Sequence, residues 1–407
     1  MTDDAAPRCL DITRLISRSG RTLTGVDRVE LAYLRELLRR GDPVWFLART
    51  SAGFSILGRD GGQAMLDRIE GRVPYGRADL IALLSRKLTP ERRRAEADLR
   101  RLAIAGGLRA GLASRLRQVM PRGTRYLNVG HSNLTDRTLT AWRAVPEARI
   151  DVLIHDTIPL DHPQFQRPES VARFRGVLGR VCRHADRIIA NSGATASDVT
   201  RWSADFGRCP PIVTAPLGVD PVEASVLPPD IPTDRPYFVI LGTIEPRKNH
   251  ALLLDVWDEL RADMDRPPRL VVAGSRGWRN EEVFARLDAE RGRDDLILER
   301  PGLSDRQVTA LLQGSAGLLF PSHAEGFGLP AVEAARLGVR VLATKLPVFR
   351  EILSDYCVYA DPDDVYFWKQ RIMSWATNMQ VDRAAGEAAA ILDRLTWQTH
   401  FELALSP

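Results

Sequence analysis

A strand, a loop, a helix and a second strand follow one another between residues 316 and 343, and this unit constrains the fold more than any other part of the chain. Residues 316–320 and 339–343 are short apolar runs of strand length. Pro330 suits the first helical position and Gly338 suits the residue just past the last turn, so the spacing predicts a helix over residues 330–337. Such a unit is typical of an α/β protein with parallel strands.

Two carboxylates flank the loop of this unit. Glu325 precedes the predicted helix, and Glu333 falls in its first turn, eight positions later. The backbone N–H groups of residues 326–329 would lie at the helix N-terminus, where unpaired donors and the helix dipole favour an anion. The pair therefore predicts a site for a phosphorylated sugar. The alternative is that Glu333 complements the helix dipole and Glu325 is a loop acid in water.

Strand-like runs alternate with helix-length segments along the rest of the chain, which indicates parallel sheets with crossover helices. In the first half, the pattern predicts a helix over residues 26–40 and strands over residues 8–16, 44–48, 126–129, 150–154, 187–190 and 212–214. In the second half, a strand over 237–241 leads to a helix over 251–261 and a strand over 269–273. Prolines crowd the aperiodic segment between the halves, which predicts a linker.

The chain of 407 residues exceeds the size at which a single hydrophobic core stops growing, so two domains are expected. We predict an N-terminal Rossmann-like domain over residues 1–218, a linker over 219–235 and a second Rossmann-like domain over 236–390. Residues 395–405 are aromatic and apolar on one side, which predicts a terminal helix within the last segment, 391–407.

Charged side chains follow predicted strands in both halves of the chain. Arg247 and Lys248 lie between a strand and the next helix, which places two cations at the carboxyl edge of a sheet, where α/β proteins bind ligands. His155 and Asp156 likewise end a strand. Two cations suit a diphosphate. A solvated Arg–Lys pair and a structural histidine are the alternatives.

These segments, in this order, resemble the retaining glycosyltransferases of the GT-B fold, in particular glycosyltransferase family 4, whose signature is a pair of glutamates. The resemblance implies an α/β fold of two Rossmann-like domains that face each other across a cleft, with a C-terminal helix that crosses back to the first domain. It implies that Glu325 lies against the transferred sugar and that Glu333 holds the ribose of the nucleotide. It also implies that Arg247 and Lys248 meet the donor diphosphate and that His155 contacts the donor sugar.

The same resemblance assigns further residues. Those on the donor side are Thr243, Gly274, Gly302, Leu303, Gly326, Phe327, Gly328 and Leu329. Those assigned to the acceptor or to a supporting position are Gly25, Arg28, Asp156 and Asn191. Asp156 could orient the His155 ring or contact the acceptor, whereas helix capping is the alternative for residues 24–28 and for Asn191 with Ser192. Residues 364–407 would tie the two domains together, with Trp397 and Phe401 as packing residues.

The function that the resemblance implies is a retaining glycosyltransferase, which moves a hexose from a nucleotide-sugar, GDP-mannose-like by preference, to a growing cell-surface glycan or a lipid-linked acceptor. No cofactor and no metal are expected, because side chains and helix ends supply the positive charge and no carboxylate cluster suits Mg²⁺. The alternative is a catalytically silent sugar-nucleotide-binding subunit of an envelope-polysaccharide assembly complex. A dinucleotide oxidoreductase is disfavoured, because no GxGxxG loop follows an early strand, and the P-loop motif is absent too.

Basic residues concentrate between residues 81 and 125, where twelve bases stand against three acids, although the whole chain carries only +5. Five leucines recur there at near-helical spacing, which predicts a basic amphipathic helix: Leu99, Leu102, Leu108, Leu112 and Leu116. Such a helix could contact a membrane surface that carries a lipid-linked acceptor, or it could be an ordinary solvated face. Nucleic acid is not expected as a partner, because the segment holds no aromatic residue and no binding motif.

The sequence predicts a cytoplasmic protein, at most peripheral on the inner face of the cytoplasmic membrane. No uncharged apolar run approaches the length needed to span a bilayer, and residues 1–7 lack the basic and apolar regions of a signal peptide. The cysteines at positions 9, 182, 209 and 357 form no close pair, which argues against a zinc site and a disulfide framework and favours reduced thiols.

Overall fold

Two sheets with helices packed on both faces make up the computed structural model, which describes residues 6–85, 87–378 and 392–406. Eight strands form the first sheet and six form the second, in the α/β pattern that the sequence predicts. The irregular segment between the two sheets, residues 219–235, contains no helix and no strand.

The first sheet is mostly parallel. Its strands are β1 (Arg8–Asp11), β2 (Val44–Arg49), β3 (Phe54–Leu57), β4 (Ala105–Gly107), β5 (Arg125–Asn128), β6 (Arg149–Ile154), β7 (Arg187–Ala190) and β8 (Ile212–Thr214). They lie in the order β4-β3-β2-β1-β5-β6-β7-β8. Strand β3 is antiparallel to both of its neighbours, β2 and β4, and the other pairs are parallel. The chain order reverses between β1 and β5, and α/β sheets bind ligands outside the carboxyl ends of the strands at such a switch point.

The second sheet is wholly parallel. Its strands are β9 (Tyr237–Leu241), β10 (Arg269–Ala273), β11 (Ile297–Glu299), β12 (Gly317–Phe320), β13 (Val341–Thr344) and β14 (Val358–Ala360). They lie in the order β11-β10-β9-β12-β13-β14, so the switch point falls between β9 and β12. The loops after these two strands therefore meet at one point of the sheet edge.

Helices connect the strands. Those of the first half are α1 (Thr13–Ser17), α2 (Gly25–Arg39), α3 (Arg59–Ile69), α4 (Leu80–Leu84), α5 (Pro90–Leu102), α6 (Leu112–Val119), α7 (Asp136–Trp142), α8 (Ile158–Asp161), α9 (Pro168–His184) and α10 (Gly193–Ser203). Those that follow are α11 (His250–Asp263), α12 (Glu281–Glu290), α13 (Asp305–Gln313), α14 (Leu329–Arg336), α15 (Pro347–Leu353), α16 (Val365–Thr377) and α17 (Trp397–Ala404). None of these helices has both the length and the apolar character to cross a bilayer.

Side chains on both faces of the sheets are buried, as parallel strands require. In β2, for example, Phe46 and Ala48 pack into one hydrophobic core, whereas Leu47 points into the core on the opposite face. The first of these cores continues into the second half of the chain, where it takes in Phe320 and Phe349.

Several observed boundaries differ from the predicted ones, and one predicted element, the basic amphipathic helix, is wrong. The strand predicted over residues 8–16 ends at Asp11, because the buried Asp11 carboxylate accepts the backbone N–H of Thr13 and turns the chain into α1. Helix α14 begins one residue before the predicted start, with Gly328 at its N-cap in the left-handed region (φ 83°). Glu333 therefore lies in the second turn of α14 and not in the first.

The basic segment is not the single amphipathic helix that its leucines predict. Helix α5 ends at Leu102, the short strand β4 follows, and α6 begins only at Leu112. Three glycines stand between the two helices and weaken helical propensity there, which explains the break: Gly106, Gly107 and Gly111. One base of the segment, Arg86, lies outside the described residues.

The C-terminal helix α17 packs back on the first half of the chain, as predicted. Buried Phe401 meets the ring of Tyr33 of α2 edge-on at a centroid distance of 5.0 Å, and the ring Nε2 of His400 lies 2.8 Å from the Tyr33 hydroxyl. Arg187 of β7 donates to the carbonyl oxygen of Ala404 at 2.7 Å. The preceding helix α16 packs on α11 of the second half. Within the described part of residues 364–407, the chain therefore crosses to the first half only after α16.

Gly218, at the end of the first half, allows the chain to approach the start of α17. A Cβ atom at this position would lie 2.1 Å from the backbone nitrogen of Trp397. We expect Gly218→Ala to lower the free energy of unfolding by about 1–3 kcal/mol, because backbone atoms cannot give way as a flexible side chain can. Denaturant unfolding checks this, with Gly41→Ala as the control, since no atom lies within 4 Å of a Cβ there. Equal stabilities of the two variants would contradict the proposed fit.

Candidate active site

The carboxyl edges of the two sheets face one cavity of about 1040 Å³. Every residue that the sequence analysis assigned to a substrate lines it: Gly25, Arg28, His155, Asp156, Asn191, Thr243, Arg247, Lys248, Gly274, Gly302, Leu303, Glu325, Gly326, Phe327, Gly328, Leu329 and Glu333. These residues come from loops far apart in sequence. The cavity is large enough for a ligand of several rings.

The switch point of the second sheet brings the charged residues together. Arg247 and Lys248 lie on a short 3₁₀ turn after β9, and Glu325 lies in the loop after β12. Lys248 Nζ is 2.6 Å from Glu325 Oε1, and Arg247 Nη1 is 2.9 Å from the same oxygen. Arg247 also donates to Glu245 at 2.6 Å and to the carbonyl oxygen of Ala324 at 2.5 Å. Two cations therefore share one buried carboxylate.

Burial and these neighbours set the ionisation of the cluster. Burial alone would raise the pKa of Glu325, but Arg247 and Lys248 outweigh it and lower that pKa to about 2. Burial lowers the pKa of Lys248, and Glu325 opposes that shift. Glu325 is thus an anion at neutral pH, and Glu245, which pairs with Arg247, is a second carboxylate beside the two cations. An anion that binds here would therefore take over part of the contacts that the two cations make with these carboxylates.

Glu333 and Arg28 form an ion pair across the cavity. Arg28 Nη2 of α2 lies 2.6 Å from Glu333 Oε1 of α14. Burial raises the pKa of Glu333, and Arg28 opposes that shift. The resemblance implies an acceptor-side role for Arg28 and a ribose contact for Glu333, and the structure puts the two side chains in direct contact.

His155 follows β6 and is buried beneath the cavity. Its ring Nε2 is 2.7 Å from the carbonyl oxygen of Val129, so Nε2 carries the proton and Nδ1 has the free lone pair. Burial, with His131 next, lowers the pKa of His155 well below its usual value. The ring is therefore neutral and offers a hydrogen-bond acceptor.

Asp156 does not orient the His155 ring, since the Val129 carbonyl holds it. Instead, Asp156 Oδ1 accepts the backbone N–H of Ile158 at 3.1 Å. Burial raises the pKa of Asp156 to about 6, against the influence of Arg247. Of the two roles predicted for Asp156, only contact with the acceptor stays open.

Gly326 lets the loop after β12 lie directly on the first half of the chain. A Cβ atom on Gly326 would fall 2.4 Å from the carbonyl oxygen of His155. Thr195 Oγ1 donates to the Gly326 carbonyl at 3.4 Å. Any side chain at position 326 would separate the residues of the two halves that line the cavity.

The predicted supporting residue Asn191 and its neighbour Ser192 have separate tasks. Asn191 Nδ2 donates to the backbone oxygen of His155 at 2.8 Å, whereas Ser192 caps α10 by accepting from Thr195 N at 3.0 Å. The second half of the chain adds a further contact at this helix end. Glu351 of α15 accepts the backbone N–H groups of Gly193 and Ala194 at 2.6 and 3.0 Å.

Part of the cavity wall was not predicted from the sequence. Arg14 and Arg18 line the cavity and hold the buried Asp27 carboxylate at 2.6 and 2.7 Å. The two arginines are four residues apart, a spacing typical of one helix face. The predicted strand over residues 8–16 obscured this pattern. His131, whose ring centroid lies 5.0 Å from that of His155, sits two residues beyond a predicted strand and could have been found there.

No metal site is apparent in the described ranges 6–85, 87–378 and 392–406, where no group of three or more His, Cys, Asp or Glu side chains could hold an ion. The four cysteines are free thiols.

Comparison with known proteins bears on this cavity. Residues 226–391 match the family described as "Glycosyl transferases group 1". The second half of the chain carries a glycosyltransferase group 1 domain. The loops after β9 and β12, with Arg247, Lys248 and Glu325, belong to this group 1 domain.

Several relatives carry the name mannosyltransferase, among them two proteins of Escherichia coli. Over 269 residues the chain is 28% identical to the "Serotype-specific mannosyltransferase WbdA" of Escherichia coli, a match that covers 62% of this chain and 32% of that protein. It is 33% identical over 130 residues to the "O-antigen chain mannosyltransferase B" of the same species, which covers 32% of this chain and 34% of that protein. The chain spans about a third of the length of these relatives.

Solved structures confirm the fold. The structure of Anabaena HepE in complex with UDP-glucose matches with a TM-score of 0.64 over 98% of both chains, at 14% sequence identity. HepE has the GT-B fold, so the predicted GT-B class is confirmed.

The shared carboxylate gives a first prediction for this site. We expect Glu325→Gln to lower the free energy of unfolding by about 3 kcal/mol, because it leaves the buried Lys248 without its counter-ion and Arg247 with Glu245 alone. Inorganic pyrophosphate should raise the melting temperature of the variant more than that of the wild type. Glu147→Gln, which removes an exposed partner of Arg122, is the control and should leave stability unchanged.

The pH dependence of the same variant has a defined sign. Because the pKa of Glu325 in the fold is about 2, below the usual 4.5, its ionisation stabilises the fold above about pH 4.5. That contribution is lost as the pH falls from 4.5 towards 2. The stability difference between wild type and Glu325→Gln should shrink over this range, and a difference that is constant with pH would contradict the pairing.

Glu351 yields a second prediction. Its carboxylate joins the two halves at the N-terminus of α10, a contact comparable with a helix cap of about 1 kcal/mol. We expect Glu351→Ala to open the cleft, which small-angle scattering would detect as a larger radius of gyration. Asp355→Ala, at an exposed position nearby, should leave the profile unchanged. Identical profiles for Glu351→Ala and the wild type would contradict a role in closure.

Proposed function

We propose that the protein is a retaining glycosyltransferase of family 4, which transfers a hexose from a nucleotide-sugar to a glycan or lipid-linked acceptor. The observation that carries this proposal is the pair of cations on Glu325, placed at the switch point of the group 1 domain and facing His155 across the cavity. The names of the relatives support mannose, and hence a GDP-mannose-like donor. They also support a surface polysaccharide as the product.

Arg247 and Lys248 would bind the donor diphosphate and stabilise the charge that develops on it as the bond to the sugar breaks. Preorganised charge of this kind usually accelerates a reaction more than any other single effect in an active site. At about 4 Å and an effective dielectric near 20, each cation–phosphate contact is worth of order 4 kcal/mol before desolvation. The backbone N–H groups of residues 326–329 would add to this field at the start of α14. With this charge in place, we propose a metal-independent reaction.

The Arg28–Glu333 ion pair stands where the donor ribose would bind in this proposal. Glu333 would accept the ribose hydroxyl groups, so part of its contact with Arg28 must be exchanged on binding. Arg28 would then be free to approach the diphosphate or the acceptor. Because the two residues lie on opposite walls, the exchange couples donor binding to the relative position of the two halves.

The mechanism proposed for transfer needs no side-chain nucleophile. The bond between the anomeric carbon and the diphosphate oxygen breaks, and the acceptor hydroxyl oxygen bonds to the same face of that carbon. The hydroxyl proton passes to the leaving phosphate oxygen. His155, neutral and with Nδ1 as acceptor, would orient a hydroxyl of the donor sugar, Glu325 would lie against the same sugar, and Asp156 would contact the acceptor.

Domain closure would accompany the reaction, because the donor residues lie mainly in the second half and His155 lies in the first. The proposed boundaries are residues 1–218, a linker over 219–235, and 236–390, with the final segment 391–407 holding the halves together. Residues 379–391 lie outside the described part of the chain. Closure excludes water from the transferred sugar.

A panel of GDP-, UDP- and dTDP-sugars with chelator present tests the proposal. We expect one nucleotide-sugar to raise the melting temperature selectively, since a ligand at a hundred times its dissociation constant stabilises by about 2.7 kcal/mol. Glu333→Ala should abolish the shift, and Lys248→Ala should chiefly lower kcat. The anomeric configuration of the product, read by NMR, should match that of the donor.

Three results would contradict parts of this proposal. Donor binding without transfer to any acceptor would favour the catalytically silent subunit. Activity that vanished with chelator and returned only with Mn²⁺ or Mg²⁺ would contradict the metal-independent reaction. A product of inverted configuration would exclude retention.

A further inference from the structure

Helix α4 exposes an apolar surface that the fold does not use. Of its five residues only Ala82 is buried. The other four side chains project into solvent: Leu80 is 81% exposed, Ile81 45%, Leu83 52% and Leu84 83%. An exposed single leucine is common, but four large apolar side chains exposed together on one short helix mark a surface that binds something.

Polar contacts at both ends hold α4 in this orientation. Asp79 caps the helix by accepting the N–H of Ala82 at 2.8 Å, and Arg100 of α5 donates twice to the Asp79 carboxylate at 2.6 Å. At the other end, the Ser85 hydroxyl lies 3.0 Å from that of Ser51. The apolar side chains are therefore presented outward by a fixed scaffold.

Unpaired cations lie close to α4 in the sequence. Among the described residues, Arg77, Lys87, Arg93 and Arg94 precede or follow α4 closely in sequence, and none of them forms an ion pair. Other bases of α5 are neutralised, since Arg92 pairs with Glu96 and Arg101 with Asp98. Glu91 is exposed too and, among the described residues, forms no ion pair, so four free cations stand against one free acid and the net free charge near α4 is positive.

We propose that α4 and these four cations form an interfacial anchor for a lipid bilayer that carries anionic headgroups. The leucine and isoleucine side chains would enter the boundary between headgroups and acyl chains, and the cations would bind lipid phosphates. A helix of five residues is about 7.5 Å long, too short to cover the roughly 800 Å² that a stable protein partner would bury. The surface also lacks the aromatic anchors of such interfaces.

The purpose of the anchor rests on the proposed function, because the anchor would bring the cavity to an acceptor carried on a lipid. It is smaller than the continuous amphipathic helix expected from the leucines of residues 81–125, and it is already formed in the fold. Its physical test needs no transfer reaction.

Cosedimentation of the full chain with vesicles tests the anchor. Vesicles of phosphatidylcholine with phosphatidylglycerol should bind the protein, and vesicles of phosphatidylcholine alone should bind it at least ten-fold more weakly. The double variant Leu80→Ser/Leu84→Ser should lose at least ten-fold in affinity at every salt concentration. Arg93→Gln/Arg94→Gln should lose affinity at low salt and show a weaker salt dependence.

Val226→Ser is the matched control, because Val226 is 87% exposed and lies in the segment between the sheets, far from α4 in the sequence. It should bind vesicles like the wild type. Failure of the wild type to bind anionic vesicles, or binding by the Leu80/Leu84 variant equal to that of the wild type, would overturn the anchor. A normal nucleotide-sugar thermal shift in the same samples shows that the fold and the donor site are intact, and it separates this failure from failure of the proposed function.

Discussion

The shared Glu325 carboxylate is the interaction on which the site depends. It ties the turn after β9 to the loop after β12, so both cations point into the cavity from fixed positions. The same loop continues through Gly326, which rests on the backbone of His155 and so sets the spacing between the two halves. One ion-pair cluster therefore determines both the charge of the site and the way the first half of the chain closes over it.

Local patterns were sufficient for most of the fold. Strands such as β7, β9 and β10 have the predicted bounds, because a strand buried on both faces is a continuous apolar run between turn residues. The failures have tertiary causes. Beyond Asp11 the apolar run continues, yet the chain turns into α1, since the Asp11 carboxylate also accepts hydrogen bonds from the distant Tyr126 and Asn133. A prediction made from neighbouring residues alone cannot include these distant partners.

The sequence predicted residues that line one cavity, whereas it did not predict their pairings. Motif spacing led to Glu325 and Glu333, but the partner of Glu333 lies on α2, roughly three hundred positions earlier, and only the closed arrangement brings Arg28 to it. The contact of Glu351 with the N-terminus of α10 is of the same kind. In the sequence α4 reads as part of a leucine-rich basic stretch, and only its exposure in the structure separates it from the core.

The central claim is that Arg247 and Lys248 exchange part of their contact with Glu325 for the donor diphosphate. Titration calorimetry with GDP and GMP, or with the corresponding pair for whichever base binds, tests it most directly. The account predicts that the wild type binds the diphosphate at least ten-fold more tightly than the monophosphate, and that Lys248→Ala removes most of this preference. Equal affinities in the wild type, or a full preference in Lys248→Ala, would contradict it.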